Sequence, residues 1–274
     1  MKMLSRIQIP SIVLLAVSNL GYLQGTNAQN LRQRNAKLKT TANNSSSKND
    51  IASSDFDFYV LSMSFQPEFC FQHKRDSFPG CENPQDFWRT SLTLHGLWPE
   101  DYDGSWPSTC TDEEFNPKTV HDLGPDRFDH LWPNVKSSEP SKAHYSFWEH
   151  EWTKHGTCTG LSQDEYFDTA LKHFLPTPSF VRDNYGLEVS SSDLLKAYRE
   201  DQSYNDGDII LVCSGGRYLS EVRICVAKDK HGSGSYRIEC IDQVVEEGNC
   251  GSEITIPKFY IDEEEELELE IKVE

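Results

Sequence analysis

Eight cysteines constrain what this chain can fold into more than any other feature. An even number of cysteines is typical of proteins that fold in an oxidising compartment, and it predicts up to four disulfides. Eight cysteines allow on the order of 100 pairings, so their number alone does not give the disulfide map. No Cys-x-x-Cys pair occurs, which argues against a zinc ribbon. The positions are Cys70, Cys81, Cys110, Cys158, Cys213, Cys225, Cys240 and Cys250.

One disulfide can be argued from the local pattern. Tyr218–Val226 and Tyr236–Val244 have the composition of strands, and the turn-forming stretch His231–Gly234 lies between them. Cys225 and Cys240 are equally far from the centre of that turn. A hairpin would place them opposite each other within disulfide reach, so we predict a Cys225–Cys240 bridge.

The N-terminal region predicts export. Residues 1–28 have the pattern of a secretory signal peptide, with an apolar run from Ile7 to Leu23 and a small residue, Ala28, at the cleavage position. Residues 29–54 are polar and lack aromatic side chains, which predicts a disordered linker; Asn43 and Asn44 each begin a glycosylation sequon. We expect a secreted, lysosomal or vacuolar protein, and no later segment approaches the length of a membrane span.

The chain is strongly acidic, with a net charge of −18 at pH 7. This charge excludes a broad cationic surface for nucleic acid, so a polyanion would have to bind at a small, locally positive site. Residues 259–274 hold eight acidic residues and one lysine, which predicts a solvated, disordered acidic tail. Residues 55–258 are then expected to form a single domain.

The order of predicted elements gives the fold class. Phe56–Phe65 has the composition of a buried strand, and Ser91–Leu94 predicts a second strand that ends before His95. A histidine at a strand end, next to Gly96, is well placed to face a cleft. Helices are predicted over Tyr145–His155 (closed by Gly156), from a capping box at Ser162 to about Phe174, over Pro178–Tyr185 and over Ser192–Arg199. Strands and helices occur in blocks, so we predict an α+β fold with several helices packed on an antiparallel sheet.

The stretch Phe147–Cys158 concentrates ionisable side chains on one flank of a predicted helix and tryptophans on the other. His150 followed by Glu151 resembles a zinc-protease motif, but that motif spaces its histidines four apart. Here His150 and His155 are five apart, about 140° around a regular helix, so they cannot face one metal ion. There is no Gly-x-Ser-x-Gly elbow, and the even cysteine count leaves no obvious free thiol.

General acid–base chemistry fits these residues better. Two imidazoles near pKa 6.5 can exist one neutral and one protonated, so one can accept a proton while the other donates one. Lys154 beside them would stabilise negative charge that develops on phosphorus. RNA suits such a set because its 2′-OH attacks the adjacent phosphate without a metal ion or an enzyme nucleophile. We therefore predict no metal and no cofactor.

At these residues the chain resembles the T2 ribonucleases. His95-Gly96-Leu97-Trp98-Pro99 and Phe147–Cys158 are similar to the two active-site segments of that family, in the same order. The likeness continues through Leu219–Cys225 and covers roughly Phe56–Cys250. It implies an α+β fold and cleavage of single-stranded RNA through a 2′,3′-cyclic phosphate. We expect a monomer.

The resemblance also implies a role for each matching residue. His155 would be the base toward the 2′-OH and His95 the acid toward the 5′-oxygen, exchanging roles when the cyclic phosphate is hydrolysed. His150 would bind the phosphate, and Glu151 and Lys154 would stabilise the transition state. The upstream base would be contacted by Trp98, Glu100 and Trp106, and the downstream base by Phe147. The family's cysteine pattern implies Cys70–Cys81, Cys110–Cys158 and Cys213–Cys250, and it agrees with Cys225–Cys240.

Two departures from the family pattern stand out. Ser64-Phe65-Gln66-Pro67 occurs where many members have Gln-Trp-Pro, so a glutamine that helps to hold the downstream base is absent or shifted. The acidic end, Asp262–Glu274, has no family counterpart, and an alternative to a solvated tail is that it folds back and competes with RNA. The rival hypothesis for the whole chain is a secreted binding or signalling protein that keeps the fold without depending on catalysis.

Overall fold

The structure is a computed structural model, which describes residues 55–73, 78–137, 142–201 and 208–259. The predicted signal peptide and linker, with Asn43 and Asn44, lie outside the described residues, as does the acidic end Asp262–Glu274. Within the described ranges, no helix is long and apolar enough to cross a membrane.

A seven-stranded sheet is built around its longest strand, β5. The strands are β1 (Phe58–Ser64), β2 (Thr93–Glu100), β3 (Glu188–Ser190), β4 (Ile210–Ser214), β5 (Tyr218–Lys228), β6 (Gly234–Ile238) and β7 (Glu253–Thr255). The main path runs β2-β1-β5-β7-β3, and β4 and β6 also pair with β5. Every pairing among these described strands is antiparallel except β5 with β7, which is parallel. The predicted α+β class is confirmed, with a sheet that is mixed at this one contact.

Ten α-helices accompany the sheet in the described part of the chain. They are α1 (Gln66–Gln72), α2 (Pro79–Glu82), α3 (Asp86–Thr90), α4 (Lys118–Leu123), α5 (Pro125–Leu131), α6 (Ser146–Lys154), α7 (Gln163–His173), α8 (Ser179–Asp183), α9 (Ser191–Asp201) and α10 (Asp242–Glu246). Phe128 of α5 packs against Trp148 of α6 and Phe167 of α7, with ring centroids 5.2 and 5.6 Å apart. All three rings are buried, so they fix α6 between its neighbours.

Strand β2 differs from its prediction, because it continues through His95 to Glu100. In its pairing with β1, Ser62 lies opposite Gly96 and Met63 opposite Leu94, which leaves His95 as the extra residue of a β-bulge. Pro99 is tolerated because β2 is at an edge of the sheet, where one missing N–H donor costs little.

Two other predicted elements are corrected. The second hairpin strand ends at Ile238, and a short helix, α10, occupies the place of its predicted continuation to Val244. Helix α6 ends at Lys154, with His155 as its C-cap and a 3₁₀ turn over Gly156–Cys158, so Gly156 does not close the helix itself. The capping box at Ser162 is present, with Glu165 as its partner.

Four disulfides tie the loops to this framework. They join Cys70 to Cys81, Cys110 to Cys158, Cys213 to Cys250 and Cys225 to Cys240, which are the pairs expected above. Phe259, one residue beyond the predicted domain boundary, is buried, and its N–H donates to the Tyr185 hydroxyl at 2.6 Å.

Candidate active site

The bulge of β2 and the C-terminal end of α6 bring the predicted catalytic residues together. Gly96 makes this approach possible because it faces Glu151, whose Oε2 accepts a hydrogen bond from Trp98 Nε1 at 3.2 Å. A Cβ atom on Gly96 would lie 2.0 Å from Glu151 Oε2 and 2.2 Å from Trp98 Nε1. No side chain fits there, so the glycine is a steric requirement of the site.

The two ring nitrogens of His95 face different carboxylates. Its Nδ1 lies 2.7 Å from Glu221 Oε1, and its Nε2 lies 3.9 Å from Glu151 Oε1. Burial alone would lower the pKa of His95, but the hydrogen bond to Glu221 and the charges of both carboxylates outweigh it. The pKa of His95 is therefore raised above its ordinary value, which favours the protonated ring. Its backbone carbonyl accepts a hydrogen bond from Trp132 at 2.9 Å, which fixes the bulge.

His155 has the opposite character. It is buried, and its ring stacks on that of Trp98 with centroids 5.5 Å apart. Burial, followed by the positive charges of Lys154, His150 and His95, lowers the pKa of His155 to about 3. This ring is therefore neutral over most of the acidic range and can accept a proton.

Glu151 lies beside His95 and is only 1% exposed. Burial raises the pKa of Glu151 to about 7, even though His95, the Trp98 hydrogen bond and Lys154 act in the other direction. Lys154 and His150 of the same helix are exposed to solvent. Partial burial of the ring, followed by the positive charges of Lys154, His95 and Lys136, lowers the pKa of His150. Lys154 and Lys136 supply the local positive charge that an acidic protein would need at this site to hold a phosphate.

The residues expected to contact the upstream base are less closely grouped. Trp98 is half-buried, and the Arg223 guanidinium lies 5.1 Å from its ring centroid. Glu100 ends β2, and burial together with the charges of Glu247 and Asp101 raises its pKa to about 7. Trp106 lies in the loop after β2 with 61% of its surface exposed, and no ring contact joins it to the histidines in the described part of the chain.

His95 also lines a cavity of about 390 Å³. Phe147 and His150 line it, and the Phe147 ring centroid is 5.9 Å from that of His95. Gln66 also lines this cavity, and its Nε2 donates to Thr93 Oγ1 at 2.8 Å. A glutamine is thus present in the cavity wall, supplied by α1, although the family's Gln-Trp-Pro pattern is not matched.

Sequence reasoning did not assign a role to Glu221 or Arg223. The Glu221 carboxylate accepts hydrogen bonds from Arg223 Nε at 2.9 Å, Arg223 Nη2 at 2.6 Å and Ser62 Oγ at 3.1 Å. Burial would raise the pKa of Glu221, but His95 and Arg223 lower it to about 2. Glu221 and Arg223 are two residues apart on β5, so they share a face. The alternation of these two charged residues with buried Val222 is the sequence pattern that could have indicated a role for them.

The arrangement can exchange protons in both directions. The pKa of one imidazole is raised and that of the other is lowered, the buried Glu151 carboxyl lies 3.9 Å from His95, and the exposed Lys154 follows on the same helix. Groups whose pKa values are displaced in opposite directions can act as base and acid at the same pH. Among the described residues, no group of three or more His, Cys, Asp or Glu side chains could hold a metal ion.

The chain is similar to known ribonucleases along most of its length. Residues 56–240 match the family model described as the Ribonuclease T2 family. Ribonuclease 1 of Arabidopsis thaliana is 33% identical over 224 residues, which cover 76% of this chain and 89% of that protein. Extracellular ribonuclease LE of Solanum lycopersicum is 30% identical, with 76% of this chain and 90% of that protein covered. Intracellular ribonuclease LX of the same plant is 28% identical, and the shares are 76% and 87%.

Solved structures of ribonucleases are also similar to this chain. Ribonuclease MC1 from the seeds of bitter gourd superposes with a TM-score of 0.57 at 25% identity, covering 73% of this chain and 100% of that one. RNase NT in complex with 5′-AMP gives a TM-score of 0.55 at 25% identity, covering 75% of this chain and 100% of that one.

Proposed function

This chain belongs to the Ribonuclease T2 family, and from that premise we propose that it cleaves single-stranded RNA by metal-independent transphosphorylation with His155 as base and His95 as acid. It is a T2-type ribonuclease, and RNA is its substrate. The observation that carries the proposed mechanism is the contrast between the two histidines: His95 lies against the carboxylates of Glu221 and Glu151, whereas His155 is buried against Trp98, which displaces their pKa values in opposite directions.

The first step forms a cyclic phosphate. Neutral His155 accepts the proton of the 2′-OH while the 2′-oxygen attacks the adjacent phosphorus. Protonated His95 gives its proton to the departing 5′-oxygen, so the P–O5′ bond breaks and a 2′,3′-cyclic phosphate remains. After this step His155 carries a proton and His95 does not, which balances the transfer.

The second step reverses these roles. Neutral His95 accepts a proton from water as the water oxygen attacks phosphorus, and protonated His155 donates to the 2′-oxygen as the ring opens. The product is a 3′-phosphate, and both histidines return to their starting states. No separate reset of the enzyme is required.

Glu151 and Lys154 act on the charge that develops at phosphorus. The pKa of Glu151, about 7, means that it carries a proton in the acidic range and can donate a hydrogen bond to a phosphoryl oxygen. The exposed ammonium group of Lys154 supplies positive charge, and His150 adds a phosphate contact at the edge of the patch. These groups stabilise the transition state more than the substrate, because the extra charge is present only there.

Bases on the two sides of the cleaved bond use different surfaces. The cavity lined by Phe147, His150 and Gln66 takes the downstream base. Trp98, Glu100 and Trp106 contact the upstream base, with stacking on an indole ring as the main interaction. Unstacked bases are needed on both sides, which favours single strands over duplexes.

We also propose that the protein reaches an oxidising compartment and acts as a monomer. Four disulfides suit secreted or vacuolar conditions, and one chain supplies every residue named in the mechanism. The relatives include both an intracellular and an extracellular ribonuclease, so the final compartment needs localisation of the tagged full-length chain.

The mechanism is tested by incubating RNA with the protein in EDTA and analysing the new ends. The wild type should cleave and leave 2′,3′-cyclic phosphates. His95→Ala and His155→Ala should each lower kcat/KM by at least about 10²–10⁴-fold, the usual contribution of one acid–base group.

His121→Ala is the matched control, since the His121 side chain is 83% exposed and its nearest ionic partner is Asp122. It should retain wild-type activity. Cleavage that stops in EDTA, or near-normal activity in either active-site variant, would contradict the mechanism. Complete inactivity of the wild type would favour a binding protein with this fold.

A further inference from the structure

The mechanism proposed above leaves one ionised carboxylate beside His95 without a task. Glu221 reaches the active site from β5, the central strand, and lies against Nδ1 of His95 at 2.7 Å. Nε2, the other ring nitrogen, is on the side of Glu151. Each nitrogen thus has its own carboxylate, one ionised and one that carries a proton in the acidic range.

Resting on the proposed function, we propose that Glu221 is the positioning residue of the general acid: it holds the Nδ1–H of His95 so that Nε2 presents its proton to the leaving oxygen. Glu221 does not touch substrate in this scheme. It acts through the orientation, the tautomer and the proton affinity of His95.

The tautomer follows from the charge of Glu221. Its pKa of about 2 keeps it ionised at every pH where an imidazole titrates, so it can only accept a hydrogen bond. Nδ1 of His95 must therefore carry a hydrogen in both protonation states of the ring. The proton that leaves and returns is then the one on Nε2. A fixed tautomer is what a group needs when it must donate in one step and accept in the next.

The position of Glu221 is itself well determined. Its Oε2 receives both Nε and Nη2 of Arg223, and the Ser62 hydroxyl donates to the same oxygen. Arg223 is held in turn by Glu247 and lies over the Trp98 ring. A carboxylate held through one oxygen leaves the other for a single directional contact, which is the arrangement seen between histidines and their supporting carboxylates at metal sites.

The surroundings of His95 explain why this one contact matters. Helix α6 and its C-cap residue place one carboxyl group and two imidazoles near His95, and the β5 pair contributes one carboxylate and one guanidinium. The charged or titratable groups facing His95 are Glu151 and His150 of α6, His155 at its C-cap, and Glu221 and Arg223 of β5. Burial and the Arg223 guanidinium oppose protonation of His95. Without Glu221, only Glu151 would favour it, and Glu151 is protonated in the acidic range.

A purely structural role for Glu221 is the competing explanation. The pair with Arg223 is largely buried, with side-chain exposures of 13% and 17%, so its loss would destabilise the fold whether or not His95 were affected. The two explanations differ in one observable. Only a positioning role predicts that the titration of His95 changes.

The test is NMR titration of the His95 ring in the full-length protein, in the wild type and in Glu221→Gln, with thermal unfolding measured alongside. Gln keeps the shape but removes the charge, so the pKa of His95 should fall by about 1 unit or more. The alkaline limb of the kcat/KM profile should move to lower pH by the same amount, since that limb reports the acid in the free enzyme.

Glu188→Gln is the matched control. Glu188 belongs to the same sheet and pairs with Arg217 at 3.0 Å, but it is exposed and lies on β3. This variant should leave both the titration of His95 and the pH profile unchanged.

Glu221→Asp covers the case in which the Gln variant does not fold. It keeps the charge near Arg223 but shortens the side chain by one methylene, so the direct contact with Nδ1 is lost and an intermediate fall in the pKa of His95 is expected. A His95 titration equal to the wild type in every folded Glu221 variant would overturn the proposal. The NMR result does not depend on activity, so it stays interpretable even if the proposed ribonuclease mechanism fails.

Discussion

Gly96 shows how much of the site depends on a single residue without a side chain. Its backbone lies against the hydrogen bond between Trp98 and Glu151, and there is no space for a Cβ atom. His95, the preceding residue, is pushed out by the bulge and has its carbonyl held by Trp132. The position of His95, the proposed general acid, is therefore set by backbone geometry and by its two carboxylate neighbours.

Gly96→Ala should damage the site more than the fold. The added methyl group must push Glu151 away from Trp98, and overpacking of this kind costs about 1–3 kcal/mol of stability. We expect chemical denaturation to show a loss in that range, with kcat reduced at least 10-fold, about the effect of misplacing a catalytic group.

Gly251→Ala is a suitable comparison, because its nearest contact would be Gly216 O at 3.3 Å. A smaller loss of stability and full activity are expected for it. If Gly96→Ala matched Gly251→Ala in both measurements, the steric argument would be wrong.

At the scale of secondary structure, α6 combines a packing face with a reactive one. Trp148 and Trp152 are buried on the packing face, as the helical periodicity predicted. Glu151 is buried as well, and a buried carboxyl group is costly to ionise. The folded-state pKa of Glu151 is raised from 4.5 to about 7, so its ionisation opposes folding. The stability that neutral Glu151 allows is complete below about pH 4.5 and is lost as the pH rises to about 7.

Glu151→Gln should therefore become more stable relative to the wild type as the pH rises from 4.5 to 7. The upper limit of this relative gain is about 3 kcal/mol, from the displacement of the Glu151 pKa. Denaturant unfolding at several pH values would measure it. The variant should also lose activity if Glu151 stabilises the transition state.

Glu149→Gln provides the control on the same helix, because Glu149 is exposed. Its stability should follow that of the wild type at every pH. A Glu151→Gln curve parallel to the wild type would mean that Glu151 is not the buried acid described above.

Across the whole molecule, the structural features that could be predicted from the sequence are those set by residues close together in the chain. The reactive and packing faces of α6 follow from helical periodicity, and the Ser162 capping box and the Cys225–Cys240 pair follow from short-range spacing. The contact of Glu221 with His95 joins residues 126 positions apart, so it depends on the pairing of β2, β1 and β5. The strand-end position of His95 and the family resemblance both indicated it as a site residue, but neither predicted the bulge that positions it.

The register of β1 with β2 could not be predicted from local sequence patterns either. A bulge is visible only when two strands are paired, and the strand was predicted to end before His95. The same limitation applies to α10, where a strand was expected up to Val244. In both places tertiary contacts override the local preference of the chain.

In the proposed mechanism the two halves of the site, a strand and a helix, divide the proton transfers between them. An RNA dinucleotide whose departing 5′-oxygen is replaced by sulfur distinguishes the acid from the base. A thiol is far more acidic than an alcohol, so a sulfur leaving group needs no general acid, whereas the 2′-OH still needs its base. Cleavage of this substrate and of the ordinary dinucleotide would be compared for the wild type, His95→Ala and His155→Ala. We predict that sulfur restores His95→Ala to within about 10-fold of the wild type and leaves His155→Ala strongly impaired; rescue of His155→Ala instead, or of neither variant, would contradict the assignment of acid and base.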